Sequence, residues 1–399
     1  VISACGAIGT VLMVLIVYLG ISLGPRMSAI VLYLALGTFT VASFGTLVRL
    51  AAGQPMGSFQ SRLAFGTVLG AIVIAYVPPR IATDYTEFHV VTAVAALILL
   101  IALSRGARRR WLVVLGLVGV LLATAALGMN VYGRTLGVLG RVRSFYGVTS
   151  AMTLGADQNR FVIMLNGDAL QAAEYMAPEV RLEPAFQHGR ATGIGYLFRA
   201  LPKGNFRRVG IIGAGIGNLV AYAHPTDVFR LYDYDTGVAL AANTQFGYLP
   251  QADFDWDFVL GDPRLVLNAA APEKFDVLIL DTFNREPLPY HLLTREAFGV
   301  WMKHLAPDGV IAVNTTHQRF DLLPVVWRQA LELGLQTMPV VNPDDPENLS
   351  TAAEWVLLTN NAELLKKGNF QQPTPTMVET ARTFPLWSDE TARPISVLR

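Results

Sequence analysis

Long apolar runs occupy the first third of the chain. They cover residues 1–23, 28–51, 63–82, 88–104 and 111–128, and the charged residues of this region lie near the ends of the runs or between them. A helix of about 20 apolar residues is long enough to cross a bilayer, and charges gathered between such segments are typical of membrane helices. The pattern predicts an α-helical transmembrane bundle of about five spans in residues 1–130.

The third apolar run contains two consecutive prolines, Pro78 and Pro79, near its end. Proline removes a backbone donor and clashes with the preceding turn, so we expect a kink or a helix end there. No run carries an ionisable residue near its middle, although ion and proton pathways are built from such residues. The pattern therefore favours a membrane anchor over a transporter, and it leaves a lipid-adjacent substrate open.

The rest of the chain has the short alternating segments of an α/β protein. After a basic linker at residues 131–143, aromatic and β-branched residues at 144–154 and 161–166 predict a hairpin or small sheet within a segment spanning 144–200. Strand-like and helix-like segments then alternate in the order 208–212, 218–223, 228–232, 237–243, 277–280, 294–305, 310–314 and 322–333. This alternation predicts a parallel sheet with helices on both faces.

The predicted sheet ends in a strand at 355–358, and the turn-rich residues 342–350 before it fit a closing hairpin at the sheet edge. We therefore expect a C-terminal Rossmann-like domain at 201–360, followed by a tail at 361–399.

A glycine-rich loop follows the first strand of that domain. Gly213, Gly215 and Gly217 stand between the apolar strand and the next predicted helix, where glycine permits a tight turn and a close approach by a ligand. Asp233 ends the next strand about twenty residues later, where an acid can accept hydrogen bonds from both ribose hydroxyls of a nucleotide. The GxGxG spacing favours a nucleoside with a sulfonium arm over a dinucleotide.

Two further aspartates follow later strands. Asp262 comes after Gly261, and Asp281 ends the apolar segment 275–281. Ligands of open parallel sheets bind at the carboxyl ends of the strands. Asp233, Asp262 and Asp281 are therefore predicted to face one crevice.

Composition and charge limit the binding partners and the cellular location that the sequence supports. A net charge of +1 gives no electrostatic reason to expect nucleic acid, and the single cysteine, Cys5, excludes a disulfide framework or a cysteine metal site. Arginine counts around the predicted spans, five against six, do not orient the chain. We expect an integral protein of the bacterial inner membrane with a cytoplasmic catalytic domain, because adenosyl nucleotides are made in the cytoplasm. The chain begins at Val1 without an initiator methionine, so the sequence is compatible with a segment upstream of Val1.

Several motifs in residues 144 to about 358 resemble the spermidine synthase family, particularly its membrane-fused bacterial members. They are Ser144-Phe-Tyr-Gly-Val148, the Gly213-Ala-Gly-Ile-Gly217 loop, Gly261-Asp-Pro-Arg264, Asp281-Thr-Phe-Asn284, Pro289-Tyr-His-Leu-Leu-Thr-Arg-Glu-Ala-Phe298 and Leu305-Ala-Pro-Asp-Gly309. The resemblance implies a domain of the S-adenosylmethionine methyltransferase type. It also implies decarboxylated S-adenosylmethionine or S-adenosylmethionine as co-substrate.

The resemblance also implies roles for the three aspartates. Asp233 would hold the ribose, Asp262 the adenine amino group, and Asp281 would face the sulfonium and the incoming small-molecule amine. Such an amine attacks only when unprotonated, so Asp281 is the candidate catalytic base. Methylthioadenosine would leave, and no metal is needed.

The sequence differs from the family pattern at positions that are expected to contact the substrates. Asn284 stands where a second carboxylate is usual, and Glu174 replaces a glutamine expected at the tail of the nucleotide. The candidate substrate-binding residues are His188, His291 and Asn284. His188 lies in a segment that replaces an aromatic pair of the family.

Three functions remain open from the sequence. The first is transfer of an aminopropyl-type group, the second is methyl transfer or lyase cleavage of S-adenosylmethionine, and the third is a non-catalytic membrane sensor of the nucleotide. Asp281 favours an enzyme, because binding alone needs no acid beside a sulfonium. The sequence is compatible with a homo-oligomer and does not identify the acceptor.

Overall fold

The computed structural model describes residues 55–84, 86–87, 89–91, 93–94, 97–98, 110–133, 135–156, 160–167, 169–202, 206–283, 288–368, 370 and 373–399. The chain divides into two compact units, Val1–Val138 and Leu139–Arg399. The first two predicted spans and much of the fourth lie outside the described residues.

The first unit contains helices α1 (Met56–Tyr76), α2 (Pro78–Ile81) and α3 (Arg110–Gly133). Helix α1 ends before the two prolines, as predicted, and α2 begins at Pro78, where a missing N–H costs nothing. Within the described residues, Gly57–Tyr76 alone is long and apolar enough to cross a membrane, and α3 carries a shorter apolar stretch, Leu117–Gly133. A bundle of about five spans is therefore not established.

The second unit begins with a four-stranded sheet whose order is β1-β2-β3-β4. Its strands are β1 (Val138–Ser144), β2 (Gly147–Leu154), β3 (Phe161–Asn166) and β4 (Ala169–Tyr175). The predicted small sheet is confirmed. Of the linker expected at 131–143, residues 131–133 belong to α3 and residues 138–143 belong to β1, with a turn at 135–137. In β1 the two arginines, Arg141 and Arg143, alternate with Gly140 and Val142, a period-2 pattern that the basic charge obscured.

A seven-stranded sheet forms the centre of this unit, with the order β10-β11-β9-β8-β5-β6-β7. The strands are β5 (Arg208–Ile212), β6 (Val228–Asp233), β7 (Asp255–Leu260), β8 (Phe275–Leu280), β9 (Leu305–Asn314), β10 (Gln336–Asn342) and β11 (Ala353–Thr359). Strands β5 to β9 pair in parallel, whereas β10 and β11 are antiparallel. The sheet is thus of the mixed methyltransferase type, and the closing hairpin is confirmed.

Helices cover both faces of this sheet, as predicted. They are α4 (Gly193–Ala200), α5 (Thr236–Thr244), α6 (Pro263–Ala269), α7 (Arg295–His304), α8 (Leu323–Glu332), α9 (Ala362–Lys367) and α10 (Pro375–Thr383). Neighbouring residues of β5 pack on opposite faces of the sheet. Ile211 packs in the hydrophobic layer that contains α4 and α5, and Ile212 packs in the layer that contains α7 and α8.

The helix predicted at 218–223 is a five-residue 3-10 helix, Asn218–Tyr222. Pro225 accounts for its length, because proline disfavours helical backbone in the residue before it and lacks a donor of its own. The glycine loop is consequently not followed by a long helix whose dipole could act on a ligand.

The C-terminal residues expected to form a tail are part of the domain. Trp387 is 2% exposed, and its carbonyl accepts a 2.8 Å hydrogen bond from Gln329 on α8. Arg264 pairs with Asp389 at 2.6 Å, and this hydrogen bond lowers the pKa of Asp389 to about 2. The segment therefore closes the core on the α7 and α8 side of the sheet.

Candidate active site

The reversal of strand order between β5 and β8 places two sequence motifs side by side. Gly213 directly follows β5, and Asp281 directly follows β8. The backbone N–H of Asp281 donates to the carbonyl of Ile212 over 2.8 Å. A crevice at such a reversal is the usual ligand site of open α/β sheets.

The three loop glycines all have positive φ, but they differ in their surroundings. A Cβ on Gly213 would collide with the carbonyl oxygen of Asp281, and a Cβ on Gly217 would lie 2.6 Å from the Leu249 side chain. A Cβ on Gly215 would meet no atom within 4 Å. Gly213 and Gly217 therefore serve close packing, whereas Gly215 faces open space.

This difference predicts opposite defects for two alanine variants. Gly213→Ala adds a backbone collision to the strain of positive φ, so it should lower the free energy of unfolding by more than the roughly 1–2 kcal/mol that the conformation alone costs. Gly215→Ala carries the conformational cost without the collision, and its methyl group should instead obstruct nucleotide binding. Thermal unfolding and calorimetric titration of both variants test this, and equal melting temperatures would contradict it.

Asp281 is buried at the bottom of the crevice and has partners on both carboxylate oxygens. His188 Nε2 lies 2.6 Å from Oδ2, and Asn314 Nδ2 donates to Oδ1 over 2.8 Å. Asn314 is the last residue of β9 and also donates to Gln187 Oε1 over 3.3 Å. These contacts fix the plane of the carboxylate.

His188 is itself held on two sides. Asn218 Nδ2 donates to His188 Nδ1 over 2.8 Å, which places the ring proton on Nε2, where it donates to Asp281. The Tyr222 hydroxyl donates to the His188 carbonyl over 2.7 Å, and burial raises the pKa of Tyr222, so the hydroxyl keeps its proton. The resulting chain, Asn218–His188–Asp281–Asn314, is called the Asp281 network below.

Asp281 opens onto a recess that is shared with His188, Gly215 and Asn218. A larger cavity of about 670 Å³ adjoins it, because His188 and Asn218 line both spaces. One wall of the cavity comes from β4 and the facing residues come from the loop after β9. Two residues of the Asp281 network thus line a cavity with room for a small molecule.

The two other candidate aspartates lie at the ends of neighbouring strands, Asp233 as the last residue of β6 and Asp262 in the turn after β7. Asp233 is buried at the end of β6, and its Oδ1 accepts from the backbone N–H of Asp235 over 3.0 Å. Asp262 caps α6 through Oδ1, while its Oδ2 lies 3.0 Å from His291 Nε2. The hydrogen bond from His291, with the backbone N–H groups of the cap, lowers the pKa of Asp262. His291 therefore contacts Asp262, not Asp281.

Glu174 makes no contact with the Asp281 network. Glu174 is buried and accepts from Arg181 Nε over 2.7 Å and from the Gly247 backbone N–H over 2.8 Å. The bond from Gly247 joins β4 to the loop after α5, and the bond from Arg181 joins it to the segment after β4. Asn284 lies outside the described residues.

Sequence reasoning did not identify the two asparagines of the Asp281 network. Asn314 ends a strand that was predicted, so the rule that selected Asp281 could have selected it. Asn218 follows the last glycine of the loop but carries no charge to draw attention. The contact between His188 and Asp281, 93 residues apart, had no signal in the sequence.

No family model matches the chain. Over 169 residues, 41% of its length, the chain is 30% identical to the polyamine aminopropyltransferase of Vibrio vulnificus (strain CMCP6). The chain resembles the spermidine synthase family. The match covers 54% of the relative, so the spermidine synthase-like region spans about half of its length.

Solved structures show a similar arrangement at low sequence identity. A probable spermidine synthase from Corynebacterium glutamicum ATCC 13032 is 16% identical, with a TM-score of 0.48 over 63% of this chain and 97% of that one. Spermidine synthase from Thermotoga maritima is also 16% identical, with a TM-score of 0.41 over 66% and 84%. Similarity at this level carries no inference about activity.

Proposed function

We propose that the spermidine synthase-like region transfers an aminopropyl-type group from decarboxylated S-adenosylmethionine, or from S-adenosylmethionine, to an amine. The observation that carries the proposal is the Asp281 carboxylate, held on both oxygens at the sheet reversal and open to a recess beside Gly215. The 30% identity with a polyamine aminopropyltransferase supports it.

The reaction would proceed by displacement at carbon. The neutral amine nitrogen attacks the methylene carbon bonded to the sulfonium, a C–N bond forms, and the C–S bond breaks with its electron pair going to sulfur. Methylthioadenosine leaves, and the proton of the new ammonium passes to Asp281. A fixed carboxylate both accepts that proton and offsets the cationic charge of the reacting centre.

The nucleotide would lie along the ends of β5, β6 and β7. In this proposal the open face of Gly215 admits the sulfonium arm, Asp233 accepts from the ribose hydroxyls, and Asp262 accepts from the adenine amino group. Glu174 is assigned to the tail of the nucleotide. His188 and Asn284 are assigned to the amine substrate, whereas His291, predicted from the sequence to bind substrate, contacts Asp262 and is assigned to the adenine end of the site.

Product analysis tests this proposal directly. Purified full-length protein is incubated with each nucleotide, with and without amines, and the adenosyl product is identified. Methylthioadenosine that appears only with an amine supports transfer, and methylthioadenosine without an amine indicates a lyase. S-adenosylhomocysteine would indicate methyl transfer, and nucleotide binding without any product would indicate a sensor.

We further propose that residues 1–130 anchor the protein in the bacterial inner membrane, with residues 144–200 and 201–360 forming a cytoplasmic catalytic region. The apolar helix Gly57–Tyr76, none of which is buried, supports an anchor. Sedimentation of the protein with membranes after alkaline carbonate treatment is expected. A reporter fused after Arg399 should register as cytoplasmic, and a periplasmic signal would overturn the orientation.

A further inference from the structure

The side-chain amide of Gln187 is oriented through Asn314 by a backbone group. The backbone N–H of Thr316 donates to Asn314 Oδ1 over 3.1 Å, so Asn314 Nδ2 is the atom that faces Asp281, and it donates to Asp281 Oδ1 over 2.8 Å. The same Nδ2 donates to Gln187 Oε1 over 3.3 Å. The amide oxygen of Gln187 is therefore turned toward Asn314, and Nε2, with its two N–H donors, lies on the other side of the amide.

Gln187 lies in the wall of the cavity of about 670 Å³ that adjoins the recess beside Asp281. Its side chain is half-buried, and its backbone is fixed because the indole N–H of the buried Trp355 donates to the Gln187 carbonyl over 2.9 Å. Among the residues that the structure describes, none accepts a hydrogen bond from Gln187 Nε2. The amide therefore presents donors of fixed orientation to a molecule in this cavity.

The nitrogen atoms of an amine substrate do not match these donors. The attacking nitrogen must keep its lone pair for the carbon bonded to the sulfonium, and a hydrogen bond to that lone pair would reduce its reactivity. A second nitrogen that is an ammonium ion at neutral pH has no lone pair, so it donates but does not accept. A hydroxyl or carbonyl oxygen accepts from an amide N–H, and a partly buried donor left without an acceptor costs free energy.

We infer that the amine substrate carries an uncharged oxygen, a hydroxyl or a carbonyl, and that Gln187 donates a hydrogen bond to it. The inference rests on the proposed transfer and leaves its bond changes unaltered. Asn314 contacts both the Asp281 carboxylate and the Gln187 amide, so the oxygen would lie only a few bonds from the reacting nitrogen. Gln187 is then a specificity-determining residue, and Asn314 is the positioning residue that orients it.

The test uses purified full-length protein and three amino alcohols, ethanolamine, 3-aminopropanol and 4-aminobutanol. Each is compared with the alkylamine in which a methyl group replaces the hydroxyl and with the diamine in which an ammonium group replaces it. At one length or more, Gln187→Leu should lower the ratio of kcat/KM for methylthioadenosine release, amino alcohol over alkylamine, by about three- to tenfold, the range that a neutral hydrogen bond supplies. The acidity of each amine is the same in both proteins, so it cancels when the ratios are compared.

Gln187→Glu separates hydrogen-bond donation from the contact with Asn314. Its carboxylate keeps an oxygen that can accept from Asn314 Nδ2, but it has no N–H, and its negative charge favours an ammonium group. This variant should therefore shift the preference from the amino alcohol toward the diamine of the same length. The matched control is Gln336→Glu, because Gln336 is exposed on β10 and does not line the cavity. It should leave every ratio unchanged.

The outcomes separate this inference from the proposed function. Ratios that Gln187→Leu leaves unchanged at all three lengths overturn the inference while aminopropyl transfer stands, and if that variant does not fold, an unchanged preference in Gln187→Glu overturns it equally. If no amine supports methylthioadenosine release, the proposed function fails, and calorimetric titration of the same amines in the presence of methylthioadenosine still decides the inference. Tighter binding of an amino alcohol than of its alkylamine, lost in Gln187→Leu, supports it, and equal or weaker binding rejects it.

Discussion

Asp281→Asn is expected to reduce methylthioadenosine release by about a hundred- to ten-thousand-fold, the usual cost of losing a general base. Asparagine has the size of aspartate and can still accept through its oxygen, but it cannot take the proton from the ammonium that forms when the neutral amine attacks. Nucleotide affinity should change little, because Asp233 and Asp262 are assigned to the nucleoside. Rate and binding should therefore separate in this variant.

Single-turnover rates and calorimetric dissociation constants, measured in the parent and the variant, test the assignment. The matched control is Asp276→Asn on the same strand, β8. The Asp276 carboxylate accepts from the Arg208 backbone N–H over 2.8 Å, away from the crevice, and an amide oxygen can replace it there. Parental turnover in Asp281→Asn would remove the base assignment, and an equal loss of binding would make Asp281 a nucleotide anchor.

Replacing His188 with alanine should cause the second largest loss, about ten- to a hundredfold in kcat. His188 is a positioning residue in this interpretation, because its Nε2–H holds the catalytic carboxylate through a 2.6 Å hydrogen bond. A hydrogen bond to a charged group contributes about 1.5–3 kcal/mol, and alanine would leave one buried carboxylate oxygen without its donor. The KM for nucleotide should stay near the parental value.

His188→Gln provides the discriminating comparison. The glutamine Nε2 can donate from nearly the same place, so this variant should recover most of the activity lost in His188→Ala. A purely structural role would instead make both variants lose stability in proportion to activity, which thermal unfolding would reveal. If His188→Gln and His188→Ala are equally impaired in kcat yet fully stable, the imidazole acts by something other than holding Asp281.

The glycine loop separates what local sequence predicts about a turn from what depends on tertiary contacts. The apolar strand before it and the three glycines at 213, 215 and 217 predicted the turn correctly, since positive φ is a local property. The sequence did not distinguish Gly215 from its neighbours. That distinction depends on Asp281 and Leu249, which reach the loop from distant parts of the chain.

The sheet order explains why the aspartates were easier to find than their partners. Each aspartate follows a strand, and the rule that parallel strands end at one edge needs no tertiary structure. The pairing of His291 with Asp262 depends on how the loop before α7 returns to the sheet. A histidine in a loop gives no local indication of which acid it will contact.

By itself, the sequence determined the α/β alternation, the turn of the glycine-rich loop, the strand-end acids and the end of α1 at its prolines, because these follow from local periodicity and backbone chemistry. Tertiary structure decided the rest. It joined His188, Asn218 and Asn314 to Asp281, engaged Glu174 with Arg181, and turned the Gln187 amide oxygen toward Asn314 in the wall of a cavity. Contacts between residues far apart in the chain depend on how elements pack, and neither spacing nor hydropathy records that packing.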